Sequence, residues 1–291
     1  MKRHNTFQED IQQIRGIRNP LLRDLLALLW SEAVFNDQLP SELRFQPPNL
    51  SLINFIQWVE GVGVVEEYID VSKLPLGKYA EKLLQMFFEH HPNFKLIAQN
   101  IQLVKDKLTV GEIDYLLYDL KKDKHIHLEF ALKFYLQTVW KGKVTFLGPN
   151  VKDSLSKKSQ KLIKRQSQLL IQHADLLPTD LRSIDFQPQI WMKGVRFYPF
   201  QGNENYTHSR AWWLNIENIE FLQQADFTFE LINHKKDWIF PYYKASSVEF
   251  ETLSSKAKKY LEQKANALMV VRRKGGEVVD RGFIMRTDWP N

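Results

Sequence analysis

Glu112 and Asp114 stand on the run Leu108 to Tyr118, and Glu129 stands on the run His125 to Leu136 beyond a charged turn, Asp119 to Lys124. Both runs are rich in strand-favouring residues, and alternate side chains of a strand share one face. Glu112 therefore points with Asp114, while His125, His127, Glu129, Ala131 and Lys133 point together. If a hairpin pairs the two runs, acids from both converge. Carboxylates held so close repel each other unless a cation lies between them, and hard oxygen donors favour Mg²⁺ or Mn²⁺. Such a cation lowers the pKa of a bound water, orients it towards a phosphorus atom and neutralises the leaving oxygen, while a lysine stabilises the developing charge. That is the chemistry of phosphodiester hydrolysis. The same strand offers a competing reading, a zinc-dependent hydrolase using His125, His127 and Glu129 at i, i+2 and i+4.

The elements that must position these residues are legible as patterns. Leu76 to His90 carries Tyr79, Leu83, Met86 and Phe87 on one helical face and stops before Pro92. Three strand-like runs follow, Phe94 to Val104, Leu108 to Tyr118 and His125 to Leu136, and suggest a meander. After Gly148-Pro149-Asn150, apolar Leu155, Leu162, Leu169 and Leu170 mark an amphipathic helix to about His173, and a strand, Ile190 to Tyr198, comes next. The order helix, three strands, helix, strand is α+β with an α/β-type core, in which a helical crossover can return the last strand parallel to a hairpin strand.

This core is expected to span residues 76–205. An N-terminal helical arm, residues 1–75, precedes it, with helices expected on either side of Asn19-Pro20, a proline-rich loop from Leu39 to Asn49, and a short element from Leu50 to Glu60 ending at Gly61-Val62-Gly63. An α+β extension, residues 206–291, follows it, with a Trp212-Trp213 pair, a strand-like Trp238 to Tyr243, a lysine-rich helix near 250 to 266 and a hairpin turning at Gly275-Gly276.

Gly111-Glu112-Ile113-Asp114, a hairpin and then Glu129 resemble the "GEID…ExK" signature of the PD-(D/E)XK nucleases, and the element order over residues 76 to 200 is similar to the core of that superfamily. Longer phrases, Gly148-Pro149-Asn150, Arg165-Gln166, Trp191-Met192-Lys193-Gly194 to Phe197-Tyr198-Pro199, and Trp289-Pro290, resemble an uncharacterised bacterial family, domain of unknown function 1853. The nuclease resemblance implies Asp114, Glu129 and the backbone carbonyl of Phe130 as ligands to Mg²⁺ or Mn²⁺, with Glu81 as an additional acidic ligand. One position departs from the pattern. The superfamily lysine lies two residues after the glutamate, where this chain has Ala131. Lys133 sits ~13 Å along the strand from Glu129 rather than ~7 Å, so it substitutes only through a bulge or a bend. Lys158 is the other candidate, because it shares a helix face with Leu162 and Gln166.

The chain has 40 Lys+Arg against 34 Asp+Glu, a net charge of +6 that favours anionic partners. From Lys152 to Arg165 six bases, Lys152, Lys157, Lys158, Lys161, Lys164 and Arg165, face the single acid Asp153. Lys157, Lys158, Lys161, Lys164, Arg165 and Gln166 are thus the candidate nucleic-acid contacts, with DNA the first expectation; a solvated helix face is the plainer alternative. The fractions of 44% hydrophobic and 25% charged residues suit a folded globular chain rather than a disordered one. Zero cysteines exclude disulfide frameworks, thiolate zinc sites and cysteine nucleophiles, and fit a cytoplasmic protein. The apolar stretch Leu25 to Trp30 is far short of the ~20 residues that span a bilayer, so neither a signal peptide nor a membrane anchor is expected. The function expected is that of a Mg²⁺-dependent nuclease, with a catalytically inactive nucleic-acid-binding protein on the same fold as the alternative.

Overall fold

A computed structural model describes residues 7–47, 57, 73–201, 211–242, 246–263 and 266–291. In chain order the elements are α1 (Phe7–Arg15), α2 (Pro20–Trp30), β1 (Glu32–Ala33), α3 (Leu76–His90), β2 (Phe94–Lys105), β3 (Leu108–Asp119), β4 (Lys124–Trp140), β5 (Lys143–Leu147), α4 (Leu155–Lys164), α5 (Leu169–His173), β6 (Gln187–Pro199), β7 (Ala211–Asn215), β8 (Phe227–Ile232), α6 (Phe250–Gln263), β9 (Ala267–Lys274) and β10 (Glu277–Met285), with short 3-10 turns between them. The class is α+β, with parallel and antiparallel strand pairs. No helix of the described residues is long and apolar enough to cross a membrane.

The chain divides into two units. The first comprises residues 29–132 and 157–193, and so holds α3, β2, β3, the beginning of β4, most of α4, α5 and the beginning of β6. Its strands are ordered β2-β3-β4-β6, and β2, β3 and β4 form an antiparallel meander. α3 buries Tyr79, Ala80, Leu83, Leu84, Phe87 and Phe88 on one face, and ends at His91, whose backbone is extended ahead of Pro92. Phe88 packs edge to face with Phe87, Phe94 and Tyr115, and Phe87 also lies tilted against Phe94. Burial among them drives the His91 ring down to about 4, against the charge of Asp119, so it is neutral. Leu103, Ile113, Leu116, Leu169, Leu170, Leu177, Leu181 and Phe186 form a second apolar cluster.

The second unit comprises the segment up to Leu28 together with residues 133–156 and 194–291. Here β6 pairs with β7 and β7 with β10, both parallel, while β10, β9 and β8 are antiparallel neighbours. Its core gathers Trp212, Leu214, Phe227, Phe229, Leu268, Val270 and Ile284 from the strands against Leu253, Ala257 and Leu261 of α6. α2 begins where Asn19 Oδ1 accepts the N–H groups of Leu21 at 2.9 Å and Leu22 at 3.3 Å, with Pro20 in the first turn.

Three expectations change at the level of elements. β4 runs on to Trp140 and returns as β5, which the patterning had not marked. Within the described residues the strand expected at Trp238 to Tyr243 is instead the end of a 3-10 turn, Lys235–Trp238, followed by non-strand backbone to Tyr242, with Tyr243 outside the described residues; Trp238 packs edge-on against Phe134 and Phe283, and a short apolar run does not distinguish a strand from a buried turn. The helix expected to reach His173 breaks at Arg165, where the Ser167 hydroxyl donates back to the Ile163 carbonyl at 2.7 Å and a 3-10 turn, Gln166–Gln168, intervenes. The short element expected at Leu50 to Glu60, with its Gly61-Val62-Gly63 stop, lies outside the described residues apart from Gln57.

Candidate functional site

The turn between β3 and β4 sets the register that brings the acids together. Asp119 Oδ1 accepts the N–H groups of Lys121 and Lys122, each at 3.0 Å, and Asp123 turns the chain with φ of 51°. From there the ladder pairs Asp119 with Lys124, and so on to Tyr115 with Leu128, where it ends. Carried one step further, the same register would oppose Asp114 and Glu129, at the mouth of the gap where β3 and β4 part. Asp114 Oδ2 accepts the Phe130 N–H at 2.8 Å, a side chain standing in for the lost ladder bond. The N–H and C=O of a strand residue point to the same side, so the Phe130 carbonyl is directed at the same gap. On β3 itself Gly111 packs under the Leu169 side chain, whose methyl a Cβ there would meet at 2.6 Å and push aside. Arg165 reaches the neighbouring Val110 carbonyl at 3.5 Å.

Glu129 is fully buried. Its Oε1 lies 2.8 Å from His127 Nε2, its Oε2 accepts Gln166 Nε2 at 2.5 Å, and Gln166 Oε1 in turn accepts Lys158 Nζ at 3.1 Å. Lys158, Gln166, Glu129 and His127 thus form one continuous chain of hydrogen bonds. Burial pushes the Asp114 carboxyl up to about 8; the charges of Glu129 and, more weakly, Glu81 act the same way, against the Phe130 N–H and Lys158. Glu81 lies on α3, with its carboxylate 2.7 Å from Lys78 Nζ and its carbonyl accepting the Tyr115 hydroxyl at 2.6 Å. Lys78 also bonds Glu112 at 3.2 Å; burial works against its ammonium, but the two carboxylates outweigh it and hold it above its ordinary value.

The structure therefore brings Asp114, Glu129, the Phe130 backbone, Lys158 and Gln166 together, with Glu81 in the electrostatic field of Asp114. Lys157, Lys161, Lys164 and Arg165 are exposed on and after α4. Lys133 belongs to the second unit, where its Nζ is 2.6 Å from Asp153 Oδ2, and Asp153 also accepts the Tyr135 hydroxyl at 3.4 Å. His125 stacks on Tyr118 and meets the edge of Phe186, whereas His127 is fully buried against Glu129. Lys78, Tyr115 and the His127–Glu129 bond are absent from the sequence reading. The i,i+3 spacing of Lys78 and Glu81 was visible there, but the reach of Lys78 to Glu112 depends on α3 lying beside β3.

The donor set fits a hard divalent cation. Two carboxylates lie in each other's field with too little positive charge nearby to hold Asp114 ionised, and each Glu129 oxygen carries one donor, leaving a second lone pair. Among the described residues no three His, Asp or Glu side chains form a group that could hold an ion by themselves. The remaining ligands would be the Phe130 carbonyl and water, which suits Mg²⁺, an ion that keeps several waters.

A stability signature follows from Asp114. Its ordinary value is 3.8 and its folded value about 8, so between those pH values the native state holds a proton that the unfolded chain has released. Stability from this group is therefore greatest below pH 4 and is lost as pH rises towards 8. Asp114→Asn, which keeps an acceptor for the Phe130 N–H, is expected to melt close to the wild type at pH 4 and below, and above it at pH 8.5 in EDTA, by about 2–8 °C for ~1–3 kcal/mol. Melting curves of both proteins across this range check it; a difference that does not grow with pH counts against a buried, charge-coupled Asp114.

A family model described as Domain of unknown function (DUF1853) matches residues 35–285. No curated protein and no solved structure matches the chain.

Proposed function

The chain belongs to the family of that description, which names no activity, and from the geometry of the site we propose that it is a Mg²⁺- or Mn²⁺-dependent nuclease on a PD-(D/E)XK-type core. The observation that carries this reading is that Asp114 and Glu129 lie just beyond the last β3–β4 ladder pair, in each other's field, with a lysine chained to one of them. The order α3, β2, β3, β4, α4, β6 supports the same core.

In this reading Asp114, Glu129 and the Phe130 carbonyl hold the cation. Bound there, it would supply an activated water and neutralise charge on the leaving oxygen. His127 and Gln166 pin the Glu129 carboxylate from both sides, so it needs no reorganisation when the cation arrives. Lys158 serves as the charge-stabilising lysine that Ala131 does not supply. The exposed Lys157, Lys161, Lys164 and Arg165 meet the phosphates of a nucleic acid. A second reading, a nucleic-acid-binding protein without catalysis, is favoured by one observation: Lys133, nearest in sequence to the expected lysine position, is held by Asp153.

Incubation with duplex DNA, single-stranded DNA and RNA in Mg²⁺, Mn²⁺ or EDTA tests the proposal. Cleavage is expected with the metals and not in EDTA. Lys158→Ala is expected to lose about 10²–10³-fold in rate, and Lys133→Ala to stay within about threefold of wild type. Binding without cleavage in either metal decides for the second reading.

A further inference from the structure

The second unit carries a β-ribbon with an exposed tip that the acidic site does not use. β4 and β5 pair from Leu136 with Leu147 out to Trp140 with Lys143, and Lys141 and Gly142 close the turn with φ of 51° and 75°. The root of the ribbon is held: Trp213 Nε1 donates to the Gln137 carbonyl at 2.8 Å, and Phe146 meets Tyr198 edge to face. Its tip is open. Val139 and Val144 stand directly opposite each other and are 65% and 68% exposed. Trp140 and Lys143 form the next opposed pair, on the other face, and Lys141 is exposed at the turn.

Charge and size both indicate an occupant. From Phe130 to Lys152 there is no acidic residue, and Lys141, Lys143 and Lys152 lie in that stretch, together with Lys133, whose charge Asp153 answers. Two exposed valines make far too small a patch for a stable protein interface, whose buried core alone runs to hundreds of Å². The ladder pairs from Thr138–Thr145 outward, with the turn, reach roughly 10 Å, a match for a duplex major groove ~12 Å wide and ~8.5 Å deep that admits a two-stranded ribbon. We propose that the β4–β5 ribbon is a binding arm for double-stranded nucleic acid, entering a groove with Lys141 and Lys143 on the flanking phosphates and the Val139–Val144 pair against base edges or sugars.

The proposal rests on the nucleic-acid partner of the preceding reading but not on catalysis, so it is tested by binding in EDTA. Anisotropy of a labelled DNA duplex is titrated with the full chain at several salt concentrations. Lys141→Gln/Lys143→Gln is expected to weaken binding at least about tenfold and to lower the slope of log affinity against log salt by about 2. Val139→Ser/Val144→Ser is expected to weaken binding severalfold with the slope unchanged. Melting temperatures matching wild type show that these exposed changes leave the fold intact. Wild-type affinity in both double variants overturns the proposal, as does binding to phosphatidylcholine–phosphatidylserine vesicles with none to the duplex. A chain that cuts nothing in any metal but loses duplex affinity with the tip lysines overturns the nuclease reading and leaves the arm standing; a chain that cuts while the tip variants bind normally does the reverse.

Discussion

If the proposed nuclease reading holds, Glu129→Ala is expected to reduce metal-dependent cleavage by about 10³-fold or more, because the proposed ligand would disappear together with the anchor of the Lys158–Gln166 chain. The alanine variant has a second effect. It leaves His127 Nε2 and Gln166 Nε2 without their acceptor in a buried site, at a cost of about 1–3 kcal/mol for each orphaned group. Glu129→Gln separates the two, since the amide fills the same volume and keeps a carbonyl oxygen but carries no charge. The glutamine variant is expected to fold with near wild-type stability, to cleave as poorly as the alanine variant, and to lack the rise in melting temperature that Mg²⁺ is expected to give the wild type at pH 8. Cleavage by a folded Glu129→Gln protein within tenfold of wild type would remove Glu129 from the catalytic site.

The largest effect on stability is expected at Asp280, in the second unit. Asp280 and Arg272 are 2% and 1% exposed, and the carboxylate does three things at once. Its Oδ1 accepts Trp212 Nε1 at 2.7 Å and Arg272 Nε at 2.9 Å, and its Oδ2 accepts Arg272 Nη2. The guanidinium is packed among aromatic rings, 4.9 Å from the Phe200 centroid and 5.0 Å from that of Phe227. Asp280→Ala therefore leaves a charge in an apolar enclosure with cation–π contacts as its main compensation. A loss of about 3–5 kcal/mol is expected, a large part of the ~5–15 kcal/mol that typically holds a domain folded. Denaturant titration of Asp280→Ala, Asp280→Asn and the double variant Arg272→Met/Asp280→Ala checks the cause. The asparagine, still an acceptor for Trp212, is expected to lose less, and the double variant to recover part of the loss because the uncompensated charge is gone. A double variant no more stable than Asp280→Ala would mean that packing around Asp280, rather than the charge of Arg272, carries the effect.

How far the site was legible before the fold can be followed residue by residue. Asp114 and Glu129 converge on alternation and a hairpin turn alone; in the structure the ladder, whose register Asp119 and Asp123 set within the turn, stops one residue short of them at Tyr115–Leu128, and Asp114 lies in the field of Glu129. Lys158 and Gln166 were joined by helical spacing; in the structure they are in contact although the helix breaks at Arg165 between them. The burial of His127 and its bond to Glu129 were not legible, since alternation says which face a histidine shares and nothing about what covers that face. The tie from Lys133 to Asp153 was equally hidden, because it joins β4 to a loop twenty residues further along the chain.

What the sequence determined by itself is therefore local. The periods of α3 and of the meander, the turns at Asp119–Lys124 and Gly275–Gly276, the Asn19-Pro20 helix start and the convergence of two acids all follow from contacts within a turn or between adjacent strands. Only the tertiary structure decided which lysine is chained to the acids, that burial and the charge of Glu129 raise the Asp114 carboxyl, and that β4 continues into a ribbon beyond the expected end of its strand. Spacing along a chain specifies direction and face. Burial, and with it the strength of every charge in the site, is set by residues far away in sequence, whose arrival no local pattern records.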